Sequence, residues 1–563
     1  MKIITTQQVN CRDCHRCMRS CPLKAIGIEK GQARLLDDKC VLCGRCVTEC
    51  PQHAKQVMSQ LPAVTQAIAE GRTVVLSLAP SFVAAFPEYR PADLLAALAG
   101  LGFTTVEETA VGAEIVSDFY NRLLHTADKP VISACCPVVV AVVKKYFPAL
   151  VENLAPVASP MQAHAHILRR RFGAGAFIVF AGPCIGKLAE GRESVSQVDA
   201  VLTFEQLKDW LTSARPAPVQ AAATATIAPG HVRYYPIPGG ILKSFVQSES
   251  TATDIIAVDG LDNCMEVFAS LLSGEISPRF VEALACAGGC INGPVSGRAK
   301  ALPAKRLKVA EFAVAGNREP SAGPPPDIDF TRRHVADPFK EYLPPEDKIR
   351  EVLKLTGKLS KQDEKDCGAC GYNTCREKAI AVCQGLTEID TCVPYMRSKA
   401  ESLANFIVEY SLNAIVVVNR DLVIQEFNPA AEQLFGRSKE TVKGSRLSRF
   451  MDCTAIEAAA AAGEKTAGKR VEMPALRRVG SQNIIPLPEH DLIIVAISDI
   501  TDQEKQAREL EQIKLQTVEK ASEIINKHMQ VAQEIAGLLG ETTAETKATL
   551  LELVGLLKVK GKN

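Results

Sequence analysis

The hydrophobic positions divide the chain into segments of different periodicity. Between residues 59 and 310, apolar runs alternate with Ala-rich stretches of helical spacing. Four of these runs predict buried strands, and they read TVVLSLAP, KPVISACC, AFIVFAGP and TDIIAVDG. Because strands and helices alternate, this segment is predicted to be an α/β domain.

A second strand-rich segment covers residues 401–502. Its runs NAIVVVNRD, LVIQEF and HDLIIVAISDI predict strands, and AAEQLFG predicts a short helix, so we expect a small α+β module. The remaining residues, 503–563, are polar and favour helix. A seven-residue spacing there would place five residues on one helical seam: Leu510, Thr517, Ile524, Val531 and Leu538. This pattern predicts a signalling or dimerisation helix.

A Pro-rich stretch at residues 311–345 interrupts these patterns. It contains Pro324, Pro325, Pro326, Pro344 and Pro345, which predict a linker or an extended wrap. The whole chain has 563 residues, enough for at least three or four domains that each bury a core.

The charge and hydropathy of the chain limit its partners. It has 65 basic and 64 acidic residues, a net charge of +1, and therefore no overall field that attracts nucleic acid or anionic lipid. Its apolar runs are far shorter than the roughly 20 residues of a membrane helix. We therefore expect a cytoplasmic protein that binds neither nucleic acid nor membranes.

Twenty cysteines occur mainly in tight clusters, which in a large intracellular chain indicates metal ligation rather than disulfides. Residues 1–58 contain the same Cys-x2-Cys-x2-Cys-x3-Cys-Pro spacing twice. Such runs bind two 4Fe-4S cubes, each taking its fourth thiolate from the other run. The spacing thus assigns Cys11, Cys14, Cys17 and Cys50 to the first cube, and Cys40, Cys43, Cys46 and Cys21 to the second. Structural zinc is the alternative.

Five more cysteines lie in three separated segments, Ser133–Pro137, Pro183–Glu190 and Glu282–Cys290. These segments resemble the three signature motifs of FeFe-hydrogenases, and the resemblance spans roughly residues 1–300. It implies reversible interconversion of hydrogen with two protons and two electrons at an H-cluster. In that cofactor a 4Fe-4S cube would be held by Cys136, Cys184, Cys286 and Cys290. Cys290 would also bridge to a di-iron subcluster that carries CO and cyanide.

The resemblance also implies roles for three further residues. Cys135 would pass protons to and from the di-iron subcluster, although it could instead be a packing cysteine. Lys187 would donate to a cyanide ligand as a fixed cation, where a lone lysine is otherwise a solvated surface charge. Glu114 aligns with the first glutamate of the outward proton relay, although it could equally be an exposed helix charge.

This chain departs from the family pattern around the expected active site. Gly182 and Leu284 stand where methionines are usual, and Pro294-Val295-Ser296 replaces a glycine-rich end. Ser117 and Ala155 align with the other two relay positions. Because proton transfer needs groups within hydrogen-bond reach, we expect a reshaped pocket and slow turnover.

A third cysteine cluster, Cys367, Cys370, Cys375 and Cys392, resembles the small 4Fe-4S domain of corrinoid iron-sulfur proteins. It predicts a fourth cube within residues 346–400. Cys264, Cys383 and Cys453 are isolated, and we expect them to be buried thiols without a metal.

Residues 401–502 resemble a PAS domain, since Asn428-Pro429-Ala430 precedes the helix and Asp499-Ile500-Thr501 follows the final strand. PAS domains signal through flanking helices, commonly as dimers, which implies a homodimer formed by this module and the C-terminal helix. Nothing identifies a PAS ligand, and His490 is expected to be structural.

Together these patterns predict a multi-domain α/β and α+β chain. Its segments are a two-cluster ferredoxin domain (1–58), an FeFe-hydrogenase-like domain (59–310), a Pro-rich linker (311–345), a small 4Fe-4S domain (346–400), a PAS domain (401–502) and a C-terminal helix (503–563). The hypothesis is a sensory FeFe-hydrogenase that acts on hydrogen and protons. Its partners would be a ferredoxin or another redox subunit, and a separate phosphatase or kinase.

Three other functions remain open from the sequence. The chain could be a metabolic hydrogenase whose PAS module only scaffolds a complex. It could be a hydrogenase-like assembly protein that keeps cubes but no di-iron site. It could also be a non-enzymatic relay that only carries electrons.

Overall fold

The computed structural model describes residues 2–216, 228–246, 254–297, 301–316 and 327–538. The chain folds into two compact units, Met1–Tyr395 and Met396–Asn563. Within the described ranges, no helix combines the length and the apolar character needed to cross a membrane.

The first unit begins with the two cysteine runs, arranged as a pseudo-symmetric pair. The elements are β1 (Ile4–Thr6), α1 (Arg16–Ser20), β2 (Ile26–Glu29), β3 (Gln32–Leu35), α2 (Arg45–Thr48) and β4 (Lys55–Val57). β1 pairs with β4 and β2 with β3, both antiparallel. Each cysteine run lies mainly in the loop and short helix between two strands, so its thiols can wrap around a common centre.

The described residues between 59 and 316 form two parallel sheets covered by helices. The elements are α3 (Leu61–Ala69), β5 (Val74–Leu78), α4 (Phe82–Ala85), α5 (Pro91–Gly100), β6 (Thr105–Glu108), α6 (Ala110–Thr126), β7 (Val131–Ile132), α7 (Pro137–Tyr146), α8 (Pro160–Phe172), β8 (Phe177–Gly182), α9 (Gly186–Glu190), β9 (Ala200–Thr203), α10 (Phe204–Ala214), α11 (Gly240–Lys243), β10 (Ile255–Asp259), α12 (Leu261–Ser273), β11 (Phe280–Leu284) and α13 (Leu302–Val314).

The strand orders are β6-β5-β8-β9 and β10-β11-β7. The mixed α/β character expected of this segment is therefore observed, and all four predicted strands are present. The strand predicted from KPVISACC is the shortest, because only Val131 and Ile132 pair with β11. After them the chain leaves the sheet, and Pro137 begins α7. β6, β9 and β11 were not predicted.

The Pro-rich stretch is not a free linker where the structure describes it. α13 continues to Val314, past the predicted boundary at 310. Residues 327–345 run along the α/β region: the Ala158 backbone N–H donates to the Phe330 carbonyl (2.8 Å), and the Phe339 N–H donates to the Lys145 carbonyl (3.1 Å). Of the two alternatives, this part is an extended wrap. Pro324, Pro325 and Pro326 lie outside the described residues.

The small cysteine domain packs on the ferredoxin-like segment. Its helices are α14 (Glu346–Leu355) and α15 (Cys375–Cys383). The Ile28 N–H donates to the Leu386 carbonyl at 2.9 Å, and the Lys30 N–H donates to Glu388 Oε1 at 2.6 Å. The third cysteine cluster therefore belongs to the first compact unit, alongside the first two.

The helix α16 (Val393–Glu409) contains the predicted boundary at residue 400. The second unit is a five-stranded antiparallel sheet with three short helices and one long C-terminal helix. Its elements are β12 (Ala414–Asn419), β13 (Ile424–Phe427), α17 (Pro429–Phe435), α18 (Lys439–Val442), α19 (Thr454–Ala462), β14 (Thr466–Met473), β15 (Arg478–Leu487), β16 (Leu492–Asp499) and α20 (Thr501–Leu538). The strand order is β13-β12-β16-β15-β14.

This second unit has the α+β character that the sequence predicts, and its predicted strands and helix are present. β14 and β15 were missed, because charged residues along β14 hide its alternation. Asn428 caps α17 and also donates to the carbonyls of Val408 and Asn413 (2.9 and 3.0 Å). The predicted C-terminal helix is described to Leu538, and residues 539–563 lie outside the description.

Candidate metal centre

The eight ferredoxin-type cysteines lie in two groups of four. Burial raises the pKa of the Cys17 thiol, and the charges of Cys50, Cys11 and Cys14 raise it further. Such mutual influence requires short distances. Burial likewise raises the pKa of Cys46, with added contributions from Cys43, Cys40 and Cys21. The groups are the two sets that the crossed spacing assigns, while metal binding itself stays a prediction.

Backbone N–H groups point at several of these sulfurs. The Ala25 N–H donates to Cys21 Sγ (3.3 Å), the Ala54 N–H to Cys50 Sγ (3.3 Å) and the Leu42 N–H to Cys40 Sγ (3.4 Å). Hydrogen bonds to sulfur stabilise thiolate character and tune a bound cluster. In the Ala25 and Ala54 pairs the donor comes four residues after the cysteine, with proline in between, so the two repeats share this contact.

The five cysteines of the segments Ser133–Pro137, Pro183–Glu190 and Glu282–Cys290 converge on one buried cavity of about 110 Å³. The reason is topological, since each cysteine segment follows the carboxyl end of a parallel strand: Cys135 and Cys136 follow β7, Cys184 follows β8, and Cys286 and Cys290 follow β11. Loops at the carboxyl ends of parallel strands commonly build binding sites. Residues that are far apart in sequence are thereby brought together around a common centre.

The cavity thiols strongly influence one another. Burial raises the pKa of Cys184 to about 12, and the charge of Cys136 contributes. Burial also raises the pKa of Cys286, which is affected by Cys184, Cys290 and Cys136 and by Cys43 of the second ferredoxin-type group. A metal that takes these thiols as thiolates must therefore displace protons. Cys43 itself lines the cavity, so the second ferredoxin-type group lies next to it.

Cys135 has a specific polar partner. The Tyr120 hydroxyl lies 3.0 Å from Cys135 Sγ and accepts a hydrogen bond from the Ala134 N–H (2.9 Å). Burial raises the pKa of Cys135 to about 12, and the Tyr120 hydrogen bond opposes that rise. Cys135 lines the cavity rather than only packing in the core, so its proton faces the space where a bound group would sit.

Lys187 is a buried cation at the cavity wall. Its side chain donates to Glu190 Oε2 (2.6 Å), to Ser159 Oγ (3.0 Å) and to the Cys135 carbonyl (3.3 Å). Burial alone would raise the pKa of Glu190, but the charges of Lys187 and Arg332 outweigh it and the pKa is lowered. Lys187 is only 9% exposed, so it is not a solvated surface charge.

The cavity also contains an unsatisfied polar atom that sequence reasoning missed. Ser81 Oγ is buried and makes no hydrogen bond, and it lines the same cavity as Lys187. A buried hydroxyl without a partner is costly unless a bound group supplies one. Together with the five motif thiols and a cation, Ser81 fits a metal group that bears hydrogen-bond acceptors. Its place just after the apolar run TVVLSLAP could have signalled it.

The departures from the family pattern have visible consequences. A Cβ added at Gly182 would lie 2.7 Å from the Phe180 ring, and Phe180 lines the cavity. The aromatic ring therefore fills space beside Gly182. Pro294 also lines the cavity and packs against Gly44, where an added Cβ would lie 2.5 Å from Pro294 Cβ. These are the contacts that Gly182 and Pro294 make at the cavity wall, while the expected reshaping of the pocket stays a prediction.

The predicted proton-relay positions lie on α6 and nearby. Glu114 is 8% exposed, so it is not an exposed helix charge, and Ala155 is in the core without a proton-bearing group. Ser117 Oγ lies 2.8 Å from the Tyr235 hydroxyl and 2.6 Å from Ser244 Oγ. Sequence reasoning missed Asp118, whose pKa is raised by burial and then by the nearby Glu114.

Cys370, Cys375 and Cys392 of the third cluster lie near two lysines. Lys358 Nζ is 3.7 Å from Cys392 Sγ and its charge lowers the pKa of Cys375. Burial lowers the pKa of Lys378 to about 8, while the charges of Cys370 and Cys392 oppose that change. Cys367 is exposed. Tyr372 lies near both the third cysteine cluster and the second ferredoxin-type group, since the charges of Cys370 and Cys21 both raise the pKa of its hydroxyl.

The three isolated cysteines do not belong to these sets, although the charge of Cys136 adds to the rise that burial causes in the pKa of Cys264. Cys264 is buried with its thiol 3.6 Å from the Leu284 carbonyl, Cys383 is half-buried at the end of α15, and Cys453 is buried in the second unit. Among the described residues, no three Cys, His, Asp or Glu side chains meet around a point that would hold a single metal ion.

Comparison with protein families matches three segments of this chain. Residues 72–294 match the family model "Iron only hydrogenase large subunit, C-terminal domain". Residues 10–54 match "4Fe-4S dicluster domain", and residues 363–394 match a model of an Fe-S cluster segment. The first match contains the five cavity cysteines, the second contains both ferredoxin-type groups, and the third contains the third cysteine cluster.

The chain is also similar to curated proteins. It is 24% identical to "Iron hydrogenase 1" of Clostridium pasteurianum over 45% of this chain and 63% of that protein. It is 25% identical to "NADP-reducing hydrogenase subunit HndD" of Solidesulfovibrio fructosivorans over 50% and 62%. It is 29% identical to "Cytosolic Fe-S cluster assembly factor NAR1" of Yarrowia lipolytica over 33% and 44%. The chain thus spans less than two thirds of each of these relatives.

Proposed function

We propose that this hydrogenase-like iron-sulfur protein, which is related to the FeFe-hydrogenases, is a sensory hydrogenase. It would bind hydrogen, or oxidise it slowly and reversibly, at an H-cluster. It would then signal through its iron-sulfur clusters and a PAS domain to a partner protein in the cytoplasm.

One observation carries the proposal. Cys136, Cys184, Cys286 and Cys290 line a single buried cavity, and Cys135 and Lys187 line the same cavity. A cube needs four converging thiolates, whereas a fifth thiol and a buried cation beside those four indicate a reacting group next to the cube. Ser81 Oγ adds a hydroxyl without a partner at that place.

The cavity residues have separable roles in this proposal. An H-cluster, when bound, supplies the reversible splitting of hydrogen into protons and electrons. Cys136, Cys184, Cys286 and Cys290 would hold its cube, and Cys290 would also reach the di-iron part. Lys187 and Ser81 would donate to its polar ligands and fix its orientation. Cys135 would hold and release a proton at Sγ, with Tyr120 orienting that sulfur.

Electrons would leave through adjoining clusters. Cys43 of the second ferredoxin-type group affects the thiol of Cys286, which supports a contact between that cube and the cube of the H-cluster. Cys21 of the same group and Cys370 of the small domain both affect Tyr372. The second ferredoxin-type cube would therefore be a branch point, with the small-domain cube on one branch. A ferredoxin or another redox subunit would take the electrons.

The sensory part rests on three features. Gly182 and Pro294 stand at positions where the sequence departs from the family pattern, and the Phe180 ring beside Gly182 and the Pro294 ring both line the cavity. Of the three relay positions that the resemblance implies, Glu114 keeps its carboxylate, Ser117 has a hydroxyl and Ala155 has no proton-bearing group. The second unit is a five-stranded antiparallel sheet with flanking helices, which supports its assignment to a PAS domain. A site with restricted proton supply suits detection better than high flux.

The signal would pass through α20 to a second protein. Leu510, Ile524 and Val531 of the predicted seam are 48–57% exposed, and a second copy of the chain would bury them in a parallel helical pair. A separate phosphatase or kinase would read the state of that pair.

The test is infrared spectroscopy of the protein produced together with hydrogenase maturation factors. Bands of iron-bound CO and cyanide are expected in the wild type and are expected to be lost in Lys187→Met, while the visible absorption of the cubes remains in both. Turnover of hydrogen should be far slower than in a catalytic relative. Equally fast turnover would contradict the sensory role and favour a metabolic hydrogenase.

A second candidate is favoured by the similarity to the NAR1 assembly factor. In that case the protein would carry cubes without a di-iron site, as an assembly factor or an electron relay. A fully matured sample with all its cubes and no diatomic bands would establish this alternative.

A further inference from the structure

We propose that four buried residues form a second proton route between the cavity and the protein surface. They are Thr109, Ser77, His164 and Glu107, and the route ends at Arg171. This inference rests on the proposed function, because it needs a group in the cavity that exchanges protons. It involves different residues from the relay that the family resemblance implies.

The route is a nearly continuous chain of contacts. Thr109 lines the cavity together with Cys135 and Lys187. The Thr109 and Ser77 hydroxyl oxygens are 2.7 Å apart, and Ser77 Oγ lies 2.8 Å from His164 Nδ1.

The outer half of the route continues from the other ring nitrogen of His164. His164 Nε2 is 3.5 Å from Glu107 Oε2. Arg171 Nη1 donates to Glu107 Oε1 at 2.6 Å, and the Arg171 side chain is 38% exposed. The chain of contacts therefore begins at the cavity wall and ends at solvent.

The fold builds this chain from separate elements. Ser77 on β5 and Glu107 on β6 are register partners in the parallel sheet, and Thr109 comes directly after β6. His164 is on α8, which approaches α6 very closely at Gly112. A Cβ at Gly112 would lie 2.6 Å from the His164 backbone nitrogen and 2.3 Å from the Pro160 carbonyl oxygen. Gly112 therefore permits the approach that brings the imidazole over the two strands.

These side chains have the chemistry of a proton relay. A neutral imidazole carries a proton on one ring nitrogen and accepts one on the other, so a proton can enter at one side and leave at the other. For inward transfer, solvent water protonates Glu107 when the half-exposed Arg171 side chain moves aside, because a guanidinium does not give up its own proton. Glu107 then gives a proton to Nε2, and Nδ1 gives one to Ser77. Ser77 then gives its proton to Thr109, and Thr109 gives its proton to the acceptor in the cavity. One proton enters, one leaves, and no electron moves along the route.

A purely structural role accounts poorly for the arrangement. Ser77, Glu107, Thr109 and His164 are all at most 4% exposed, and a buried polar network that only stabilises the fold is expected to be fully bonded. His164 Nε2, however, makes no hydrogen bond, although it lies 3.5 Å from a carboxylate oxygen. A small rotation of the ring or of the carboxyl group closes this gap, which is the movement a relay needs.

The first test measures exchange between deuterium gas and water in the matured protein. Thr109→Val removes the hydroxyl and keeps the shape of the side chain. Glu107→Gln still accepts a hydrogen bond from Arg171, but its amide cannot give up a proton as a carboxyl group does. Each variant should lower exchange about 10- to 100-fold with the infrared bands retained. Thr109→Ser should restore exchange relative to Thr109→Val. His166→Gln, on the same helix but outside the route, is the control. Exchange within twofold of wild type in both relay variants would overturn the proposal.

A second readout does not depend on a loaded di-iron site. In protein with ¹⁵N-labelled histidine that lacks this site, NMR measures the exchange of the His164 ring proton with D₂O. The relay predicts that Glu107→Gln slows this exchange about tenfold, whereas an equal rate in wild type and variant overturns the route. If the matured wild-type protein had no infrared bands of CO or cyanide, the proposed function itself would be contradicted. Failure of the proton route and failure of the proposed function are therefore distinguishable.

Discussion

The hydroxyl of Tyr120 lies 3.0 Å from Cys135 Sγ and at the same time accepts a hydrogen bond from the Ala134 backbone N–H. The tyrosine is fully buried between Phe245 and Phe280, whose ring centroids are 6.0 and 5.1 Å away. Its hydroxyl is therefore fixed in place, with its own proton free to point at the sulfur. This contact sets the environment of the thiol that faces the cavity.

We expect Tyr120→Phe to impair proton handling without removing the metal group. Loss of the hydroxyl removes one of the two interactions that oppose the burial-induced rise in the pKa of Cys135, the other being the charge of Lys187. Turnover of the matured protein should fall about tenfold. The unpaired Ala134 N–H should lower the free energy of unfolding by about 1–3 kcal/mol. Hydrogen turnover, infrared bands and thermal unfolding measure the three quantities. Tyr234→Phe is the control, and unchanged turnover in Tyr120→Phe would show that the hydroxyl is dispensable.

The crossed assignment of the ferredoxin-type cysteines predicts different iron losses in two double variants. Cys11→Ser with Cys50→Ser removes two thiolates from one cube and should cost one cube's iron. Cys40→Ser with Cys50→Ser removes one thiolate from each cube and should disturb both. Iron content per chain and the EPR signals of the reduced protein provide the comparison. The reverse result would assign Cys50 to the cube of Cys40.

The sequence could predict those parts of the site whose residues lie close together along the chain. The cysteine runs and the placement of Lys187 three residues after Cys184 are local patterns, so the sequence predicted which residues meet at the cavity. Ser77 and His164 are single polar residues in segments that otherwise indicate buried strand or helix. Their contact depends on strand register and on the close approach at Gly112, which no local pattern contains. Asp118 was overlooked although it lies one helical turn after Glu114.

Lys55 should raise the reduction potentials of both ferredoxin-type cubes. It is buried, its side chain donates to Thr6 Oγ1 (2.6 Å) and to the Ala33 carbonyl (3.4 Å), and its charge lowers the pKa of both Cys17 and Cys46. A fixed cation stabilises the more negative, reduced cluster. Lys55→Met should therefore lower both potentials by roughly 100 mV, for a charge acting over about 7 Å at an effective dielectric constant of about 20.

An EPR-monitored redox titration measures both potentials of Lys55→Met in one experiment. Lys30→Met, an exposed lysine of the same segment, is the matched control and should leave them unchanged. A shift confined to one cube would mean that Lys55 interacts with that cube alone.

Glu282 should make the stability of the first unit depend on pH. Burial raises the pKa of its carboxyl group to about 7, although the backbone N–H groups of Leu242 and Gly239 oppose the rise. Between the ordinary pKa of a glutamate and about pH 7, the folded protein holds a proton here that the unfolded chain has lost. The stabilisation by that proton is complete at low pH and is lost as the pH rises through 7.

The variant Glu282→Gln should remove this pH dependence. The amide cannot accept both backbone hydrogen bonds of Glu282, at 2.8 and 3.0 Å, so the variant should be less stable than wild type at pH 5.5. Because the wild type loses roughly 2 kcal/mol between pH 5.5 and 8 through this group, the difference should shrink or reverse at pH 8. Thermal midpoints at the two pH values measure it, with Glu266→Gln on the exposed side of α12 as control. A constant difference would mean that the Glu282 carboxyl does not change its protonation state between pH 5.5 and 8.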